Sequence, residues 1–205
     1  MRQVKSLLTE YYSVNDLEEA LRCIEDLISQ NAHKPEILKS VLLSALDIRG
    51  VDVDDRLKPI SPILKELLNR KIFAPQDTKK GLQSTMTALP EVADEFPKAP
   101  CLIARMLGSL VSEGIIPLRP ILDTNGIILG AGRETLSSEE DDTPLVDSGL
   151  ANEILIEILK QMKDEEQEEK WVRDALHKED ADLLLFYPSY LRDDTDLSEE
   201  LQFLD

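Results

Sequence analysis

Helical periodicity governs this chain from its first residues. In the stretch 5–27, KSLLTEYYSVNDLEEALRCIEDL, two amphipathic helices are joined by a short polar turn. Val4, Leu7, Leu8 and Tyr11 fall on one helical face, and Leu17, Ala20, Leu21, Ile24, Leu27 and Ile28 repeat that spacing for nearly three turns. Between them lie Ser13, Val14, Asn15 and Asp16. Asp16 is placed to accept from the free amides of the second helix, and Glu19, three residues on, completes a capping-box pattern. Each helix has a single apolar stripe, so the hairpin cannot bury itself alone and requires a second layer.

The same period recurs along the chain. Pro35 opens a third helix that ends near Gly50, and the regular part of a fourth begins at Ser61, after Pro59. A fifth starts at Pro75 and carries Leu82, Met86 and Leu89 inside, with Gly81 weakening it by about 1 kcal/mol. Three prolines and three carboxylates between Leu89 and Pro100 read as a stiff acidic connection. A sixth helix follows from about Ala99 to Glu113, stopped by Gly114, and a short seventh ends near Asp123. Periodicity fails from 125 to 149, which reads as a flexible acidic insertion loop. It returns at Leu150, and a further helix over about 166–176 offers Trp171 to the core. Aromatic residues are only 4% of the chain and glycines number 8, which favours helices over a β-sandwich. The expectation is an all-α fold, a HEAT-like stack of antiparallel helix pairs (an α-α superhelix), each pair about 35–45 residues long. It occupies 1–190, with 191–205 as an acidic C-terminal tail.

Charge is uneven. Residues 1–135 hold 17 Lys and Arg against 19 Asp and Glu, whereas 136–205 hold 6 against 22. The last third, at −16, repels phosphate, so no direct binding of nucleic acid is expected. A HEAT-like nucleic-acid-binding protein is therefore the weaker alternative. No apolar run nears the roughly 18 residues of a membrane span, and the N-terminus lacks a secretory h-region, so a cytoplasmic location is expected. Cys23 and Cys101 lack a CxxC partner and are expected to be buried free thiols in a reducing compartment.

Catalytic signals are missing. The sequence contains no phosphate loop, no G-x-G-x-x-G, no H-E-x-x-H and no G-x-S-x-G. Gly130-Ala131-Gly132 has no βαβ setting, and His33 and His177 have no positioned nucleophile or acid beside them. No catalytic residue, cofactor site or metal site is expected.

Three stretches together resemble the MA3 domain of the eukaryotic translation initiation factor 4 gamma family, which is related to programmed cell death protein four. They are SLLTEYYSVNDLEEALRCIEDL at 6–27, LPEVADEFPKAPCLIARML at 89–107, and SGLANEILIEILKQM with EEKWVRDAL at 148–162 and 168–176. The resemblance implies a non-catalytic scaffold that binds the DEAD-box RNA helicase eukaryotic initiation factor 4A through acidic inter-helix loops, or an inhibitor of that helicase on the same fold. Other initiation factors are further possible partners. In the family an acidic residue commonly stands two before a proline, with another four earlier. Here these are Glu95 and Glu91 before Pro97, with Asp94 beside them; Glu95 departs from the usual Asp. Asn15 and Asp16, on the first turn, complete the expected contact residues.

Overall fold

A computed structural model describes residues 2–30, 33–46, 52, 57–136, 138, 141–166, 169–179 and 181–204. Among these residues no strand occurs, and the chain is all-α and HEAT-like. It divides into two compact units, Met1–Thr85 and Met86–Asp205.

In the first unit, α1 (Arg2–Val14) and α2 (Leu17–Gln30) form the opening hairpin, and α3 (Lys34–Leu46) packs against α1 while α4 (Ser61–Asn69) packs against α2. The second layer required by the single apolar stripes is therefore present. Val4, Leu8 and Tyr11 of α1 and Ala20, Leu21 and Ile24 of α2 are buried, as are Val41, Leu42 and Ala45 of α3. The helix α3 is buried on several faces, and even Ser40 and Ser44 are inside. Its first residue, Lys34, donates from Nζ to the carbonyl of Ile72 at 2.9 Å, tying α3 to the turn after α4. That turn is closed by Lys71 at φ 55°, with the amide of Ile72 donating to the carbonyl of Leu67.

The helix α5 (Pro75–Glu95) spans the boundary between the units. Here the structure corrects the sequence reading. Pro90 lies inside α5 instead of breaking it, so Glu91, Asp94 and Glu95 are on the C-terminal end of a helix and not on an inter-helix loop. A proline removes one donor, leaving the carbonyl four residues back without its helical bond, and a half-exposed position near a helix end tolerates that loss.

The second unit is built on α6 (Ala99–Ser112) and α9 (Leu150–Glu166), which pack along each other, with α10 (Glu169–Glu179) against α9. The helix α6 buries Leu102, Ile103, Met106, Leu107, Leu110 and Val111; α9 answers with Ile154, Leu155, Ile158, Leu159 and Met162. Between them come two short helices, α7 (Arg119–Leu122) and α8 (Pro144–Asp147). The segment expected to be a flexible acidic insertion loop is packed over much of its length: Ile127, Ile128, Leu129 and Ala131 are buried, and so are Leu145 and Val146. Helical periodicity fails there because the chain turns, with the amide of Ile127 donating to the carbonyl of Pro120 at 2.6 Å and that of Gly126 to Asp123 at 2.7 Å. Ser137, Glu139 and Glu140, in the acidic part of that segment, lie outside the described residues, as does the side chain of Trp171.

The acidic tail also has structure. Past a 3-10 turn at Ser189–Asp194, α11 (Leu197–Glu200) is capped by Asp196, which accepts from the amide of Ser198 at 2.9 Å. The tail returns to α9, where Lys163 donates to the carbonyl of Phe203 and the Lys160 ammonium lies 5.5 Å above the Phe203 ring. Both cysteines, expected to be buried, are only half-buried.

Candidate functional site

The candidate contact residues fall in two groups, one in each unit. Glu91, Asp94, Glu95 and Pro97 meet at the α5–α6 corner, and all four are exposed. Glu91 and Glu95 are one helical turn apart on the same face, with Asp94 beside them. The connection to α6 is only Phe96, Pro97 and Lys98. The amide of Phe96 donates to the carbonyl of Val92 at 2.8 Å and that of Ala99 to Phe96 at 2.9 Å. Ala99 and Pro100 are buried, so the corner is anchored on its α6 side while its carboxylates face solvent.

Electrostatics make this corner unfavourable for the helix that carries it. The last turn of a helix bears partial negative charge, so carboxylates there oppose the helix dipole by about 0.3–1 kcal/mol each, and like charges at i,i+4 add repulsion. No basic residue occupies the last turn of α5 to offset this.

The second group is the α1–α2 turn. Asn15 adopts the left-handed conformation at φ 58°, and its amide donates to the carbonyl of Tyr11 at 2.7 Å. Asparagine tolerates this region better than most residues. Asp16 then caps α2, accepting from the amide of Glu19 at 3.0 Å, as the sequence pattern requires. The carboxylate of Glu19 does not reach back to complete the box; it pairs with Arg22 at 2.8 Å. In the same first turn of α2, Glu18 holds the guanidinium of Arg70 at 2.8 Å, and Arg70 also takes Glu66 at 2.9 Å. The hydrogen bond from Arg70 keeps the Glu18 carboxyl below its ordinary value. Asn15 and Asp16 are exposed.

Sequence reasoning missed a third feature. In the second unit, a cleft of about 690 Å³ is lined by Asn125, Arg133, Asp141, Asp142 and Arg192, among others. Arg192 donates to Asp142 Oδ1 at 2.6 Å and to the carbonyl of Tyr187 at 2.9 Å, while Asp142 Oδ2 accepts from the amide of Ser189 at 2.7 Å. This clasp joins residues fifty positions apart, and no local pattern announces it. Close by, the Tyr187 phenol is pushed up by burial. Among the described residues no cluster of three or more His, Cys, Asp or Glu is arranged to hold a metal ion, and no helix is long and apolar enough to cross a membrane.

An all-α, HEAT-like chain with exposed acidic turns is of the stacked-helix class. The chain belongs to the MA3 domain family, which it matches over residues 1–117. That match includes both groups of candidate contact residues. Eukaryotic translation initiation factor 4G of Arabidopsis thaliana is 25% identical over 167 residues, 82% of this chain and 9% of that protein. Eukaryotic translation initiation factor 4 gamma 3 of Homo sapiens is 25% identical over 133 residues, 64% of this chain and 8% of that protein. Programmed cell death protein 4 of Gallus gallus is 24% identical over 128 residues, 62% of this chain and 27% of that protein. The chain thus spans under a tenth of the length of these factor 4 relatives. No solved structure matches it.

Proposed function

We propose that this chain is a non-catalytic scaffold module of translation initiation that docks the DEAD-box RNA helicase eukaryotic initiation factor 4A in the cytoplasm. Glu91, Asp94 and Glu95 form the principal contact, oriented by Pro97, and Asn15 and Asp16 supply a second one. The observation that carries the reading is the placement of three exposed carboxylates at the C-terminal end of α5, two of them, Asp94 and Glu95, on its last turn, where they oppose the helix dipole. An anchored turn orders little on binding, so most of its charge complementarity is available for association rate and register. Relatives named as translation initiation factors over most of this chain support the setting.

Titration calorimetry of the full chain with the purified helicase tests the proposal. Measurable binding that Glu91→Lys with Glu95→Lys abolishes supports it; unchanged affinity in the double variant rejects the corner as the contact. The match to programmed cell death protein 4 favours a second reading, an inhibitor of the same helicase. RNA-dependent ATPase turnover separates the two: the scaffold sustains or raises it and the inhibitor lowers it.

A further inference from the structure

The opening hairpin carries a shallow groove of about 90 Å³, enough for one aliphatic side chain. Leu7, Val14 and Cys23 contribute its apolar lining, and Glu10, Asp16 and Glu19 surround them. Val14 is 65% exposed, one of three large hydrophobic residues in that state among the described residues. An apolar lining ringed by three carboxylates is complementary to an aliphatic side chain that has cations beside it. The groove is also preformed. Asn15 in its left-handed turn and Asp16 in its cap fix the angle at which α2 leaves α1, so a ligand would order little on entering. The thiol of Cys23 donates to Glu19 at 3.6 Å, and burial together with Glu19 pushes it up, which keeps it a neutral part of the lining.

We infer that this groove receives a leucine-like side chain of a protein partner, flanked on both sides by Lys or Arg. The aliphatic group covers Val14 and Leu7, and the flanking cations reach Glu10 and Asp16. Glu19, already shared with Arg22, is left to the rim. The inference rests on reading the α1–α2 turn as a contact surface, and it adds the chemistry of what that surface binds.

A fluorescent peptide of sequence Lys-Arg-Leu-Arg-Lys, followed by anisotropy against the full chain, tests it without the helicase. The same peptide with Ser for Leu should bind about tenfold more weakly, the loss of one aliphatic contact. Asp16→Asn removes a charge but keeps the cap, and Val14→Ser alters an exposed position, so both variants should fold, which circular dichroism checks. Each should weaken the leucine peptide about tenfold, whereas Glu91→Lys with Glu95→Lys should leave it within twofold. Equal binding of the two peptides, or indifference to both hairpin variants, overturns the inference while leaving the α5–α6 corner untouched. A dimer in sedimentation that Val14→Ser dissolves would put a second copy in the groove and overturn it as well.

Discussion

Replacing Gly126 by alanine tests whether the turn after α7 is packed as the structure has it. A Cβ at this position would lie 2.3 Å from the carbonyl oxygen of Pro120 and 2.5 Å from that of Asp123, where ordinary contact begins at 3.4 Å. Both obstacles are backbone, so each must separate from the new Cβ by about 1 Å. The carbonyl of Pro120 also accepts from the amide of Ile127 at 2.6 Å, and its retreat strains or breaks that bond. Overpacking costs about 1–3 kcal/mol and a lost internal hydrogen bond about 0.5–1.5; the stiffer unfolded chain gives back about 0.4–1. The expected net loss is about 2–3 kcal/mol. For a domain whose urea dependence is about 1–3 kcal/mol per molar, the midpoint falls by about 1 M, read by far-ultraviolet circular dichroism. Gly114→Ala is the comparison. Gly114 has φ +69° and nothing within 4 Å of the added Cβ, so only backbone strain of about 1 kcal/mol applies. A Gly126→Ala midpoint within about 0.3 M of the parent would mean that 126–131 is not held against α7 as described, and the packing argument would fail.

Gly108→Ala should also destabilise, by about 1–2 kcal/mol, despite alanine's higher helix propensity, because its Cβ meets Gln161 Cβ at 2.7 Å and the Ile158 carbonyl at 2.9 Å where α6 crosses α9; equilibrium unfolding reads the sign. Asp16→Ala removes the cap of α2 and should cost about 1 kcal/mol where Asp16→Asn costs far less, again by urea unfolding. The Glu18 carboxyl has a folded value below its ordinary 4.5, so its pairing with Arg70 is complete above that pH and is lost as the pH falls through the lower folded value. Carboxyl carbon resonances should report this depressed midpoint, and Arg70→Gln should return it to the ordinary range.

How much of this was legible depended on how local each interaction is. The α1–α2 hairpin was readable because its signals are a 3.6-residue period and a cap that acts three residues away. The start of α4 at Ser61 and the stop of α6 before Gly114 were readable for the same reason. The extent of α5 was misread because a proline weighs heavily in sequence, whereas in the folded chain Pro90 costs α5 one bond near its end. Ile127, Ile128 and Leu129 were invisible because a buried turn has no period, and the clasp between Asp142 and Arg192 and the return of Phe203 to α9 are contacts at long range. The residue types of the acidic corner were in the sequence; their position on a helix end, exposed and opposed to its dipole, required the fold.

That opposition gives the decisive measurement its force. Reversing Glu91 and Glu95 to lysine places cations where the dipole of α5 favours them, so the double variant should unfold at or slightly above the parent's urea midpoint. Binding loss could then not be ascribed to damage. Titration of the parent and this variant with the purified helicase, beside their unfolding curves, is the most direct test. The account predicts that stability is kept and binding is abolished; an equally stable variant that binds as well as the parent would contradict it.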